Sequence, residues 1–203
     1  MEFIENINRQ EYTDFVMNHT MSHFLKSYEW GEVSKERGLI PHYVGLKDND
    51  VLVSTALLLE KKLPLGYSYY YIPRGYTVNY DNYELLKLFT DKIKEYAKKN
   101  KAIFFKIDPD IKLHTIDKDA NVIADGTNNY KLVDDLKKIG FRRKKLNLYF
   151  ENMQPRFTFR LDTTRDMDVI RKNYSKSVLR WIKVADKFDV NVKLGERKEI
   201  DEF

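Results

Sequence analysis

Hydrophobic positions along residues 1–150 alternate between helical and strand spacing. The clearest helix is predicted at 85–97, where apolar residues recur at helical spacing and Asp81 or Asn82 can cap the N-terminus. Shorter apolar runs bounded by turn residues predict strands, and those at 42–46 and 51–59 are joined as a hairpin. The predicted strands are 3–7, 42–46, 51–59, 67–72, 102–107 and 146–150.

Polar residues and glycines mark the ends of three further predicted helices. Asn8 and Ser27 can each cap a short helix, because their side chains accept hydrogen bonds from free backbone N–H groups. A helix at 129–139 is expected to stop at Gly140, which can adopt the left-handed conformation that follows many helices. Helices placed between strands in this order predict an α/β domain with a mixed sheet.

Pro155 marks the beginning of a second, shorter pattern. A strand is predicted at 157–161, followed by helical segments that Asp162, Thr163 or Thr164 can cap, and then by a strand at 190–194. This order repeats the opening of the first unit. We therefore expect two domains, 1–153 and 154–203, of which the second contains only the beginning of such a unit.

Composition narrows the class of protein. The chain has 203 residues, 42% hydrophobic and 33% charged, which is typical of a globular protein and not of a disordered one. It contains no cysteine, so a disulfide scaffold, a thiolate zinc site and a cysteine nucleophile are all excluded.

The charge balance and the N-terminus bear on location and partners. No apolar run is long enough to predict a transmembrane helix, and residues 1–6 do not have the pattern of a signal peptide. We therefore expect a cytoplasmic protein. The net charge of +5 and the pI near 9.1 permit a polyanionic partner without requiring one.

Familiar catalytic and cofactor motifs do not occur. There is no dinucleotide-binding glycine motif, phosphate loop or nucleophile elbow. His19 and His23 stand four positions apart, but no carboxylate accompanies them at a zinc-binding spacing, so no metal site is predicted.

Two strand ends carry candidate chemistry. Asp108 follows the strand at 102–107, and Pro109 keeps it out of helical geometry, which suits a general base or a carboxylate that positions substrate. Arg74 stands beside Gly75 after the strand at 67–72, where its guanidinium can bind a carboxylate or phosphate. The alternatives are an aspartate that binds loop amides and an arginine on the surface.

Aromatic and basic segments supply weaker candidates. Residues 22–30 are rich in aromatic and polar groups, and Trp30 can serve either a binding site or the core. Six cations at 137–145, and a second basic face at 171–183, can neutralise phosphates. Solvated surface is the alternative for both.

A set of short motifs in a fixed order identifies a resemblance. They are Phe24-Leu25-Lys26-Ser27 before Trp30, Tyr71-Ile72-Pro73-Arg74-Gly75 with Tyr80-Asp81, Phe105-Lys106-Ile107-Asp108-Pro109-Asp110, Gly140-Phe141, Gln154-Pro155-Arg156, and the basic segment 177–183 before 190–192. Together they cover essentially the whole chain and resemble the FemABX family of peptidoglycan bridge aminoacyltransferases.

The resemblance implies a fold and an activity. It implies two acetyltransferase-like (GNAT-like) domains and transfer of an amino acid from aminoacyl-tRNA to the stem-peptide amine of a peptidoglycan precursor. That precursor is lipid-linked or UDP-linked, and a lipid-linked precursor implies proximity to the membrane. The resemblance also allows pairing with a homologous aminoacyltransferase. The family uses no metal or organic cofactor, and none is expected here.

Site residues follow from the matched motifs. Asp108 is expected to position substrate or handle a proton. Lys35 replaces the family's phosphate-binding lysine, whose usual position is occupied by Ser34. The resemblance places further substrate contacts at Trp30, Tyr71, Arg74 and Gly75. The expected tRNA contacts are Arg142, Arg143, Lys144, Lys145, Arg180 and Lys183.

These expectations lead to one reading of function and two alternatives. We predict an aminoacyl-tRNA-dependent acyltransferase of cell wall synthesis whose 203 residues are an incomplete and inactive portion. The alternatives are a basic nucleic-acid-binding module and a non-catalytic partner of a full-length relative.

Overall fold

The computed structural model describes residues 1–142 and 161–202. Contacts group the chain into two compact units, Met1–Lys144 and Lys145–Phe203. The predicted boundary at 153/154, the strand at 146–150 and most of the strand at 157–161 lie outside the described residues.

The first unit contains a five-stranded mixed sheet in the order β1-β2-β3-β4-β5. Neighbours from β1 to β4 are antiparallel, whereas β4 and β5 are parallel. This confirms the predicted α/β fold and the hairpin formed by β2 and β3. The strands are β1 Glu2–Ile4, β2 Ile40–Asp48, β3 Val51–Lys62, β4 Ser68–Ile72 and β5 Ala102–Ile107.

Four helices accompany this sheet. Three of their N-caps are those predicted, since the side chains of Asn8, Ser27 and Asn82 each accept a backbone N–H at 2.9–3.1 Å. Gly140 has φ +108° and ends the fourth helix, also as predicted. The helices are α1 Arg9–Asn18, α2 Tyr28–Glu36, α3 Tyr83–Lys99 and α4 Tyr130–Ile139.

Alternating side chains of β2 and β3 contribute to two hydrophobic clusters. Val44 and Leu58 belong to the cluster that includes α3, whereas Tyr43 and Leu57 belong to the cluster that includes α1. Successive residues of a strand point to opposite faces, so the sheet has a helical layer on each face. The longest helix, α3, also provides the crossover that makes β4 and β5 parallel.

The apolar strand β5 is less buried than its sequence predicts. Ile103 and Phe104 are 56% and 48% exposed. Along the described residues β5 pairs with β4 on one side only. The strand predicted at 102–107 is confirmed, but its residues are partly buried or exposed although the sequence is strongly apolar.

The second unit differs from its prediction at two points. Its helices are α5 Met167–Lys172 and α6 Lys176–Lys187, and the caps are Asp166 and Ser175 instead of a residue in 162–164. Residues 190–194 form no strand, and Val192 and Leu194 are almost fully exposed. The described residues of this unit contain no strand that could pair with this segment.

Candidate functional site

The carboxyl ends of β4 and β5 lie side by side. These strands are parallel, and Ile72 pairs with Ile107 at their last residues. The turn after β4 and the loop after β5 therefore begin next to each other. The backbone N–H of Arg74 donates a 2.8 Å hydrogen bond to Oδ1 of Asp108. The fold thus joins two residues that the sequence alone places 34 positions apart.

The turn at Arg74, Gly75 and Tyr76 has an unusual backbone. Arg74 and Gly75 both have positive φ, at +56° and +70°. A Cβ on Gly75 would lie 2.5 Å from the hydroxyl oxygen of Tyr80, which leaves no room for a side chain. That same hydroxyl accepts a 2.8 Å hydrogen bond from the Tyr76 backbone N–H. Glycine is therefore required here by both conformation and space.

Asp108 has the electrostatic environment of a proton acceptor. Burial raises the pKa of its carboxyl group, because a partly buried carboxylate loses hydration. The Arg74 backbone N–H, the Tyr71 hydroxyl and the Arg74 charge act in the opposite direction and favour the anion. Tyr71 also pairs in register with Lys106, whose ammonium lies 5.6 Å from the centre of the Tyr71 ring. The arrangement holds a carboxylate with a raised proton affinity beside polar donors.

Lys26 also contacts the turn at 74–76, although no role was predicted for it from the sequence. The side chain is only 1% exposed, and its ammonium donates 2.9 Å hydrogen bonds to the carbonyls of Met21 and Tyr76. Burial lowers the Lys26 pKa to about 8, against the opposing effect of the carboxylates of Asp110 and Asp108. Its place in the Phe24-Leu25-Lys26-Ser27 motif was the available hint. An exposed lysine is the ordinary expectation for that residue type.

Trp30 and Lys35 lie on α2 and make local contacts. Trp30 packs against the cluster that includes α1 and meets the ring of Phe24 edge-on at 5.9 Å. Lys35 is exposed and forms a 2.6 Å ion pair with Glu32. Ser34 is buried, and its hydroxyl donates to the Trp30 carbonyl. The charge of Lys35 therefore lies on a different side of α2 from Ser34, which occupies the usual position of the family's lysine.

The candidate tRNA contacts are only partly described. Arg142 is exposed, while Arg143, Lys144 and Lys145 lie outside the described residues. Upstream of them, Lys137 and Lys138 form ion pairs with Asp134 and Asp135. Part of this basic run is therefore already neutralised within α4.

The second basic face is found on α6. Arg180 and Lys183 line one shallow groove with Lys176 and Lys187, at helical spacing. Leu179 and Val184 line the same groove. A row of four cations along one helix face is suited to a polyanion.

Neither a metal-binding cluster nor a membrane-spanning helix occurs among the described residues. Within 1–142 and 161–202, no group of three or more histidine, aspartate or glutamate side chains is placed to hold a metal ion. Over the same ranges, no helix is both long enough and apolar enough to cross a membrane.

Comparison with known proteins points to one family. Residues 7–203 match the sequence pattern of the FemAB family. A lipid II:glycine glycyltransferase of Staphylococcus aureus (strain bovine RF122 / ET3-1) is 30% identical over 201 residues, covering 98% of this chain and 45% of that protein. A second, from strain USA300, is 29% identical over the same shares.

A solved structure agrees with these matches. The crystal structure of FemX aligns with 100% of this chain and 48% of its own, with a TM-score of 0.82 and 29% identity. The chain thus spans about half the length of the relatives it matches.

Proposed function

The chain belongs to the FemAB family, and on that premise we propose that it contributes to the transfer of an amino acid onto a peptidoglycan precursor. Relatives that match 98% of the chain are named for glycyl transfer to lipid II. The observation that carries the proposal within the fold is the hydrogen bond between the Arg74 backbone and the partly buried carboxylate of Asp108. This contact fixes the carboxylate beside the turn that carries Arg74, whose charge favours the anion.

The proposed donor is an aminoacyl-tRNA, and the proposed acceptor is the stem-peptide amine of a lipid-linked or UDP-linked precursor. The amine nitrogen attacks the ester carbon, so a C–N bond forms and the ester C–O bond to the ribose breaks. The proton released by the amine passes to Asp108, and Asp108 returns it to the ribose oxygen of the tRNA as that oxygen leaves. A free lysine amine has a pKa near 10.4, so a base at this point assists the attack.

Other residues take supporting parts in this proposal. The Arg74 guanidinium binds an anionic group of the precursor, and Gly75 lets the backbone approach it closely. Tyr71 and Trp30 supply aromatic surface, and Lys35 supplies an exposed cation for precursor phosphate. The basic face of α6, with Arg180 and Lys183, together with the cations at 142–145, contacts the tRNA phosphates. No cofactor enters this reaction scheme.

Replacement of Asp108 by asparagine tests the proposal. The variant keeps the shape of the side chain and an acceptor for the Arg74 N–H, but it cannot accept a proton in the same way. We expect kcat of the complete gene product to fall about 10²- to 10⁴-fold, because that is the usual contribution of general base catalysis. Precursor affinity should change little. The measurement is a transfer assay with charged tRNA and lipid-linked precursor.

Asp14→Asn, at an exposed position of α1, provides the matched control. Asp108→Asn activity within about threefold of the control would remove Asp108 from the reaction. Binding of tRNA without any binding of precursor would instead favour a nucleic-acid-binding module. Activity that appears only when a homologue is added would favour a non-catalytic partner.

A further inference from the structure

Lys26 links two segments that are distant in sequence. It ends the short 3₁₀ turn Phe24–Lys26 that precedes α2, and its ammonium reaches the Tyr76 carbonyl in the turn after β4. The Met21 carbonyl is its second acceptor, also at 2.9 Å. The ammonium therefore ties the chain before α2 to the turn that also contains Arg74 and Gly75.

Two buried groups, Lys26 and Tyr80, and the partly buried Asp108 hold this turn. Asp108 accepts the Arg74 N–H, Tyr80 accepts the Tyr76 N–H, and Lys26 donates to the Tyr76 carbonyl. Lys26 is the cation among these three. Loss of its hydrogen bond would free one side of a turn whose backbone is already in the left-handed region.

The charges facing Lys26 come from three segments. Asp108 and Asp110, in the loop after β5, favour the ammonium, whereas Arg74 in the turn and the burial itself disfavour it. His19, in the segment after α1, also faces the ammonium: burial lowers the His19 pKa first, and the charge of Lys26 lowers it further. Lys26 is thus in electrostatic contact with the same carboxylate that accepts the Arg74 N–H.

The hydrogen bonds and the charge of Lys26 act on the same turn. A buried ammonium costs stability, but an apolar side chain of similar length would leave the Met21 and Tyr76 carbonyls without this donor. The lysine therefore supplies a donor to two carbonyls and a charge near Asp108 and Asp110.

We infer that Lys26 is a positioning residue, which holds the turn at 74–76 in place beside Asp108. The consequence of this hold for catalysis rests on the proposed function, in which Asp108 accepts the proton of the attacking amine. The hold on the turn does not depend on that function.

NMR titration of the 203-residue chain between about pH 6.5 and 9.5 tests the coupling directly. We expect the backbone amide signals of Arg74, Gly75 and Tyr76 to shift together with pH. The midpoint should be the Lys26 pKa of about 8. The side-chain carbon signals of Lys26 should move over the same range. Turn amides that show no transition in the native sequence would overturn the inference.

A matched pair of substitutions assigns the transition. Lys26→Met keeps the length of the side chain and removes its charge, so the shift of the turn amides should disappear. Lys92→Met makes the same change at a lysine of α3 that pairs with Glu95 on the surface, and the shift should remain. A transition that persists in Lys26→Met would assign it to another group and reject the inference. If Lys26→Met does not fold, Lys26→Gln, which keeps two N–H donors, takes its place.

Transfer kinetics of the complete gene product separate this inference from the proposed function. Lys26→Met should lower kcat roughly ten- to a hundredfold, less than loss of the general base itself, while KM changes little. The pH profile of the native sequence should show a transition near pH 8, and that of the variant should not. An active enzyme without the NMR transition contradicts the inference alone. The NMR transition in a protein that neither binds precursor nor transfers an amino acid contradicts the proposed function alone.

Discussion

Individual residues at the ends of β4 and β5 determine what the candidate site can do. Burial shifts the pKa of Asp108 upward and that of Lys26 downward, which favours the neutral form of each group. Their pKa values therefore move toward each other and toward the working pH of most enzymes. A carboxylate shifted in this way can accept a proton from substrate more readily than the same side chain on a surface.

The Lys26 pKa has a consequence for stability. It is about 8 in the folded protein and near 10.5 in an unfolded chain. Between these values the unfolded chain binds more protons, so the free energy of unfolding contributed by this group rises with pH. Below about pH 8 the cost of the buried charge is fully present.

Comparison with Lys26→Met measures this effect. The free energy of unfolding of the native sequence minus that of the variant should increase from about pH 7.5 to 10, since the methionine does not titrate. Other titrating groups cancel in the difference. The measurement is urea unfolding at several pH values. A difference that stays constant over the range would show that the folded state does not lower the Lys26 pKa.

Gly75 carries a conformational requirement that can be separated from its packing. Gly75→Ala should destabilise the protein by about 1–3 kcal/mol, because it adds strain at positive φ and a clash with Tyr80. Gly38→Ala is the matched control, since Gly38 also has φ +70° but no atom within 4 Å of the added Cβ. Its cost should be that of the backbone strain alone. Equal losses in urea unfolding for both variants would mean that the Tyr80 contact contributes nothing.

Among the elements, the parallel pair β4 and β5 creates the site, and α3 makes that pairing possible. Two parallel neighbours need a long crossover, and the 17-residue helix α3 supplies it. The carboxyl ends of both strands consequently lie at the same edge, with Arg74 after one and Asp108 after the other. An antiparallel β5 would have placed Asp108 at the opposite edge.

The basic face of α6 is the predicted contact surface for tRNA. Neutralising Arg180 and Lys183 together by alanine should weaken binding of the complete gene product to tRNA, because each removes a charge that displaces counterions. The slope of log affinity against log salt should fall by about 2. Filter binding at several salt concentrations measures both effects.

A double variant on α3, Lys87→Ala with Lys92→Ala, controls for net charge, because those lysines pair with acids of their own helix. It should leave the salt slope unchanged. Equal effects of the two double variants would show that only overall charge matters.

At the scale of the whole molecule, the two units differ in how much they bury. The first unit holds both hydrophobic clusters, whereas α6 has no buried residue in the part of the chain that the structure describes. Hydrogen exchange should therefore be slowest in α3 and β3 and much faster in α6. Mass spectrometry of exchanged peptides checks this order, and equal protection of α3 and α6 would contradict it.

The 203 residues alone should transfer amino acids slowly. The relatives that match nearly all of this chain are about twice its length. Aminolysis needs the amine and the ester held together, and such positioning supplies about 7–11 kcal/mol of a barrier. We expect transfer by the chain alone to be more than tenfold slower than by a relative assayed beside it. Comparable turnover would place the whole active site within these residues.

Local sequence was sufficient wherever short-range chemistry decides structure. The caps at Asn8, Ser27 and Asn82, the stop at Gly140 and the strand at 102–107 were all predicted, because each depends on neighbours along the chain. The motifs around Asp108 and Arg74 were also found from sequence. Residues 143–160 lie outside the described ranges, so the predictions that fall there remain predictions.

Long-range contacts decided the rest. Burial of Lys26 depends on Tyr76, which is 50 positions away, and exposure of Ile103 and Phe104 depends on which neighbours β5 has in the sheet. The segment 190–194 has strand-like residues, yet no strand of its described unit pairs with it. Propensity and spacing therefore determined which residues form helices and most of the strands. Only tertiary structure decided which groups lose their water, and that loss gives Asp108 and Lys26 their unusual proton affinities.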